Sequence, residues 1–328
     1  MSNMQSLTGL IAATCAPLKD DGALAVDRTG KIVEQLLREG VSGLYVNGTT
    51  GEGLSLTGAE RRAIAEAYVS AAAGRVPVLV QVGHNSLRES RELAAHAQKI
   101  GAAGVSMMAP SYIKPDSART MVDCLAEVAV GAPELPIYYY HIPHLTGVTL
   151  DVPEILRLAA EKILSFAGMK FTSPALHEFQ SCLEFGRARL SSRQKNGANT
   201  SVPHGANTNV PPLNCLWGVD EMLLSAWNIG ARGAVGSTYN FAAPLYRRML
   251  DALARGDMDE ARKRQAQAVL MLRVLNRYRG LAAFKVVMQF IGLDCGPARL
   301  PLRTLDKSER DALRRELQEI GFFEWARP

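Results

Sequence analysis

Eight times along the chain a short apolar run is followed by a stretch with helical periodicity, and this rhythm narrows the folds more than any single motif does. The strand candidates are 10–16, 43–47, 77–83, 104–109, 136–142, 165–171, 214–218 and 232–236. Each is apolar on both faces, as parallel strands covered by helices require. The stretches between them carry helix start signals. Thr57 with Glu60, Ser86 with Glu89 and Asp151 with Glu154 fit the capping box or its Asp variant, in which a side chain satisfies free N–H groups of the first turn. Ile32, Val33, Leu36 and Leu37 make an apolar stripe on the first helix. Eight strand–helix units in succession predict an α/β fold of the closed (β/α)8 barrel type. An open doubly wound sheet is the alternative, but no GxGxxG follows the first strand.

Two regions break the rhythm. Residues 257–328 read as helix without strands, at 257–279, 281–291 and 306–320, and form a helical extension to a barrel spanning 1–256. Residues 191–213 are rich in Asn, Ser, Gly and Pro and contain a near-duplicate, GANTSVPH then GANTNVPP. Such a composition buries no core and predicts a flexible surface insert, too short for a repeat architecture. It joins the sixth helix to the seventh strand, and loops of that kind lie on the face opposite a barrel's active site. Asn199 opens an N-T-S sequon, without consequence in a cytoplasmic protein.

With 328 residues, 47% hydrophobic and 21% charged, the chain can bury a core without disulfides or a structural metal. The five cysteines are odd in number, far apart and never spaced as CxxC, which predicts reduced thiols. No signal-length or membrane-length apolar run occurs, and the expected location is the cytoplasm. The net charge of +5 comes from arginines placed on predicted helix surfaces (Arg61, Arg62, Arg88, Arg91, Arg247, Arg248) among acids. That pattern, without a nucleic-acid-binding motif, points to neither nucleic acid nor membrane as partner, but to a small acidic substrate.

In a barrel the loops after the strands build the site, so strand ends carry the candidates. After the second strand, Asn47-Gly48-Thr49-Thr50-Gly51-Glu52-Gly53 offers hydroxyls and exposed N–H groups to a carboxylate or phosphate; a bare Gly-rich turn is the alternative. The fifth strand ends in Tyr138-Tyr139-Tyr140-His141-Ile142-Pro143. Alternation puts Tyr138 and Tyr140 on one face, either for proton transfer or for core packing. The sixth ends in Gly168-Met169-Lys170-Phe171-Thr172-Ser173. Of ten lysines, Lys170 alone ends an apolar strand, and Lys285, within an apolar helix, is its nearest rival. An amine in a dry pocket becomes a nucleophile toward carbonyls; a structural ion pair is the other reading. Asp220 and Glu221 follow the seventh strand and Ser237 the eighth, which suits a polyhydroxylated ligand or a helix dipole better than a metal.

Five motifs in this order, GTTGEGLSL (48–56), YYYHIPHLTGV (138–148), GMKF (168–171), GVDE (218–221) and GAVGSTYN (233–240), resemble the N-acetylneuraminate lyase and dihydrodipicolinate synthase superfamily of class I aldolases. The resemblance runs from about 8 to 320, broken at 191–213, and is strongest to the lyase branch. It implies a barrel with C-terminal helices, usually a homotetramer, with no metal or organic cofactor. On this reading Lys170 forms the Schiff base, Tyr140 moves the proton, and Thr49 and Thr50 hold the substrate carboxylate. Thr172 would line the site, and Gly218, Asp220, Glu221, Gly236 and Ser237 would hold the sugar tail. Tyr112, in APSYIKP, matches more loosely a tyrosine supplied across a subunit interface. The implied reaction is reversible cleavage of N-acetylneuraminate to N-acetylmannosamine and pyruvate.

Within the superfamily, dihydrodipicolinate synthase activity is associated with an arginine two residues after the Tyr-x-x-Pro proline. Here that position is Leu145, which fits the lyase branch. A lyase for another 2-keto-3-deoxy sugar acid is a further alternative, and a silent sialic-acid or pyruvate binder is a non-enzymatic one. His84, in VGHNS, has no assigned role.

Overall fold

The structure is a computed structural model that describes residues 7–196 and 213–326. Eight parallel strands close into a barrel, each paired with the next and the last with the first: β1 (Gly9–Ala13), β2 (Gly43–Val46), β3 (Val78–Gln81), β4 (Gly104–Met108), β5 (Ile137–His141), β6 (Phe166–Phe171), β7 (Asn214–Trp217) and β8 (Gly233–Gly236). The helices between them are α1 (Thr29–Arg38), α2 (Gly58–Ala72), α3 (Leu87–Lys99), α4 (Ala118–Ala129), the single turn α5 (Pro143–Thr146), α6 (Val152–Lys162), α7 (Leu176–Asn196) and α8 (Leu223–Asn228). After β8 come α9 (Tyr239–Ala254) and the C-terminal helices α10 (Met258–Arg277), α11 (Leu281–Phe290), α12 (Lys307–Glu319) and α13 (Phe322–Trp325). The expected (β/α)8 barrel with a helical extension is therefore the fold. The start signals act as read: the side chains of Thr57, Ser86 and Asp151 each accept the N–H three residues on, and Thr57 with Glu60 closes the full box.

Strand alternation divides the apolar residues between two cores. Ile11, Ala13, Tyr45, Leu79, Met108, Tyr138, Tyr140, Leu216 and Val235 fill the barrel interior. Their neighbours Leu10, Leu44, Val46, Val105, Met107, Tyr139 and Trp217 pack beneath the helices. Burying one such side chain contributes roughly 1.5–3 kcal/mol, so both faces of each strand stabilise the closure.

On β6 the alternation is interrupted. Ala167 points inward, yet Met169, two residues on, packs outward. The register slips at the same place: Ile137 pairs with Phe166 but Tyr138 with Gly168, so the β6 strand carries an extra residue. Gly168 takes φ +145, and a Cβ there would lie 2.1 Å from the Asn214 carbonyl oxygen. The bulge shifts the strand's phase and turns Lys170, rather than Met169 or Phe171, toward the barrel axis.

Two expectations need correction. Arg61 is not on a surface: it is buried, donating to the carbonyls of Gly83 and Gln81 and to Gln81 Oε1, and burial lowers its guanidinium to about 10. The long side chain reaches the carbonyl oxygens at and just beyond the end of β3, which accept from both terminal nitrogens of its guanidinium. Helix α7 also continues to Asn196, through the first six residues assigned to the insert, because Arg, Gln and Lys in that stretch favour helix. The remainder, 197–212, lies outside the described residues.

Candidate functional site

Lys170 ends β6 beside Tyr140 on β5, its direct partner in the ladder. Both side chains enter the barrel mouth. Lys170 is 4% exposed, and its Nζ lies 4.1 Å from the ring centroids of both Tyr140 and Tyr45. The two rings meet edge to face at 5.7 Å, and Tyr45 is fixed by a 3.0 Å hydrogen bond between its hydroxyl and Ser106 Oγ. Among the described residues no carboxylate pairs with Lys170. Its cation rests instead on ring faces, which offset part of the cost of removing it from water. Among the described residues no hydrogen bond or ion pair occupies the Lys170 nitrogen.

Above this amine stands the turn after β2. Thr49 Oγ1 is 3.3 Å from the Tyr140 hydroxyl, and Thr50 Oγ1 is 2.6 Å from Ser237 Oγ after β8. The turn is tight: Asn47 and Glu52 both adopt left-handed backbone, and the Asn47 amide anchors it by donating to the Arg61 carbonyl. Hydroxyls from three strand ends, those of β2, β5 and β8, thus stand at the same mouth of the barrel as the Lys170 amine.

Across the mouth, Gly218 abuts Thr172, and Gly236 abuts Asp220 and Tyr239, so a side chain at either glycine would collide. Thr172 Oγ1 is buried and hydrogen-bonds nothing among the described residues. Asp220 Oδ2 accepts from the Thr238 N–H at 3.0 Å and the Thr238 hydroxyl at 2.6 Å, and that hydroxyl also meets the Tyr246 hydroxyl at 2.7 Å. Burial pushes the Asp220 carboxyl up to about 6, against the opposing pull of Thr238 and of the Lys170 charge. Half of this carboxylate is therefore committed to the fold. Glu221 is exposed.

Other singled-out residues stand apart. Tyr138 also faces inward, but its hydroxyl donates to Asn214 Oδ1 at 3.3 Å, at the opposite end of the barrel. His141 points outward, stacked on Phe171 at 4.9 Å, and burial holds its imidazole near pKa 4. His84 Nδ1 accepts the Ser86 N–H, a local brace ahead of α3. Tyr112 is 87% exposed. Lys285, the rival lysine, is consumed by a buried ion pair with Glu52. Sequence reading missed Tyr45 and the Gly168 bulge; a glycine inside an apolar run was the one available signal for the latter.

Comparison with known proteins agrees with this geometry. The N-acetylneuraminate lyase of Xenopus tropicalis is 40% identical over 319 residues, covering 96% of this chain and 97% of its own. The human N-acetylneuraminate lyase is 38% identical over 322 residues, covering 97% and 94%. Among solved structures, Proteus mirabilis N-acetylneuraminate lyase superposes with a TM-score of 0.86 at 33% identity, covering 97% of this chain and all of that one. The profile of the dihydrodipicolinate synthetase family matches residues 6–191 and 198–320, and the chain belongs to that family.

Proposed function

We propose that the protein is a Schiff-base aldolase that reversibly cleaves N-acetylneuraminate to N-acetylmannosamine and pyruvate. The observation that carries this reading is Lys170: a buried amine with no carboxylate partner among the described residues, beside Tyr140 and below Thr49 and Thr50. The full-length likeness to N-acetylneuraminate lyases supplies the substrate.

In the proposed reaction, the Lys170 amine adds to the C2 carbonyl of the open-chain sugar acid, water leaves, and the imine nitrogen takes a proton from solvent, returned when the amine is finally released, giving a protonated imine. Tyr140 takes the C4 hydroxyl proton while passing its own to the substrate carboxylate. The C3–C4 electron pair flows into the imine, C4 becomes the aldehyde of N-acetylmannosamine, and an enamine remains. Protonation at C3 and addition of water then release pyruvate and the free amine. The cationic imine neutralises the developing carbanion, and the Thr49 and Thr50 hydroxyls fix the carboxylate. Thr172, Gly218, Asp220, Glu221, Gly236 and Ser237 line the side where the sugar tail would extend. At the position that distinguishes dihydrodipicolinate synthase stands Leu145, on the exposed turn α5, whose side chain offers no charge to a second carboxylate.

The exposed apolar pair Tyr112 and Ile113 suits a face buried between subunits, and we include a homotetramer in the proposal. Five free cysteines suit a reducing compartment, here the cytoplasm. Borohydride reduction in the presence of pyruvate should add one reduced pyruvyl group to the wild type and none to Lys170→Ala. Pyruvate release from N-acetylneuraminate should follow the same pattern. Trapping without release from the sugar acid would retain the imine and reject the substrate.

A further inference from the structure

Behind the Thr49–Thr50 turn lies a buried charge pair that the imine chemistry does not use. Lys285, on α11, brings Nζ to 2.5 Å from Glu52 Oε1, with the two side chains 3% and 2% exposed. The contact is one of charge rather than an aligned hydrogen bond, and the same Nζ donates to the Pro297 carbonyl at 2.8 Å. The other oxygen, Glu52 Oε2, accepts the Arg299 N–H at 2.7 Å. The Arg299 guanidinium in turn grips the Ser55 and Gly22 carbonyls and both oxygens of Glu60. The connection between α11 and α12 in the extension is thus laced onto the turn that follows β2.

A pair of buried charges is a poor device for stability alone, because a well-packed apolar pair of the same volume serves as well or better. What this pair fixes is conformation. Glu52 holds left-handed backbone at φ 52 and ψ 30, an unfavourable state for a residue other than glycine. Its N–H donates to the Thr49 carbonyl, and the Gly53 N–H donates to that of Gly48, so the geometry of Glu52 is transmitted directly to the two threonines. Lys285 also neutralises a carboxylate that would otherwise stand two residues from the hydroxyls and repel an approaching anion.

We propose that Lys285 and Glu52 are positioning residues, through which the C-terminal helices hold the Thr49–Thr50 turn in the shape that receives the substrate carboxylate. The proposal rests on the imine reading for the identity of that anion. Its test is the pyruvate concentration that half-saturates borohydride trapping on Lys170, together with KM and kcat for N-acetylneuraminate. In Lys285→Met the half-saturating pyruvate and KM should rise about tenfold or more, equivalent to about 1.4 kcal/mol of lost binding, while kcat changes by less than about threefold. Because Lys285→Met leaves an unpaired carboxylate and endangers folding, Glu52→Gln and the uncharged double variant Glu52→Gln/Lys285→Met are measured beside it; each should show the same KM-weighted loss. Unchanged half-saturation in any folded variant overturns the proposal. So does a fall in kcat in step with the unfolded fraction at constant KM, which is the mark of a merely structural pair. A wild type that traps no pyruvate overturns the imine reading instead.

Discussion

The direction of the Lys170 side chain is decided by a residue that has no side chain of its own. Met169, Lys170 and Phe171 are consecutive, and without the bulge at Gly168 the lysine would face the helices. The expected cost of Gly168→Ala is of order 3–5 kcal/mol, since φ +145 is closed to alanine and the added carbon would sit 2.1 Å from the Asn214 oxygen. Urea unfolding checks this, and an alanine variant within about 1 kcal/mol of wild type would refute the bulge account. Tyr140→Phe separates two steps: trapping of pyruvate on Lys170 should persist, while kcat for sugar-acid cleavage drops about 10²–10⁴-fold. A variant with intact turnover would move the proton-transfer role elsewhere. Lys170 was readable because a lone cation at the end of an apolar strand is costly without a purpose. Its facing was not readable, because residues 165–171 are apolar in either phase and alternation cannot choose between them.

Between β7 and α9 the site is braced by a buried polar chain, Asp220 to Thr238 to Tyr246. Burial raises the Asp220 carboxyl from its ordinary 3.8 to about 6, so between those values the folded chain holds more protons than the unfolded one. The stability contributed by the protonated form is complete below about 4 and is lost as pH rises through 6. Asp220→Asn removes that loss. Relative to wild type, it should gain about 2–3 kcal/mol at pH 7.5 and little at pH 4, read as the difference between two stability–pH curves. Parallel curves would mean that Asp220 does not titrate in this range. At the scale of elements, sequence fixes beginnings better than ends. Thr57, Ser86 and Asp151 mark helix starts through side chains that answer a local need, the free N–H groups of the first turn. Helix α7 overran its expected end because composition alone set that boundary and neither glycine nor proline occurs between 191 and 196.

For the molecule as a whole, the barrel was evident from eight repeats of one pattern, whereas the joining of extension to barrel was not. Lys285 read as an anomaly in an apolar helix, and Glu52 as one acid in a turn. Only the closed fold brings residues 233 positions apart within ion-pair distance. The segment 197–212 presents the opposite case, one whose ends are informative without its interior. Helix α7 delivers the chain at Asn196, and β7 resumes at Asn214, whose side chain bonds the Tyr138 hydroxyl and the Leu7 backbone away from Lys170. The described start of β7 is therefore on the face opposite Thr49, Tyr140 and Lys170, where loop changes affect stability rather than chemistry, and the expectation is that the segment joined to it makes no contact with the site. Replacing 197–212 with a short Gly/Ser linker should keep kcat/KM for N-acetylneuraminate within about twofold, because loop-closure entropy changes slowly with length and no site residue is displaced. Sedimentation of the shortened protein distinguishes a lost subunit contact from a lost site contact. A folded variant with unchanged assembly and kcat/KM reduced about tenfold or more would place the segment over the barrel mouth and overturn this assignment.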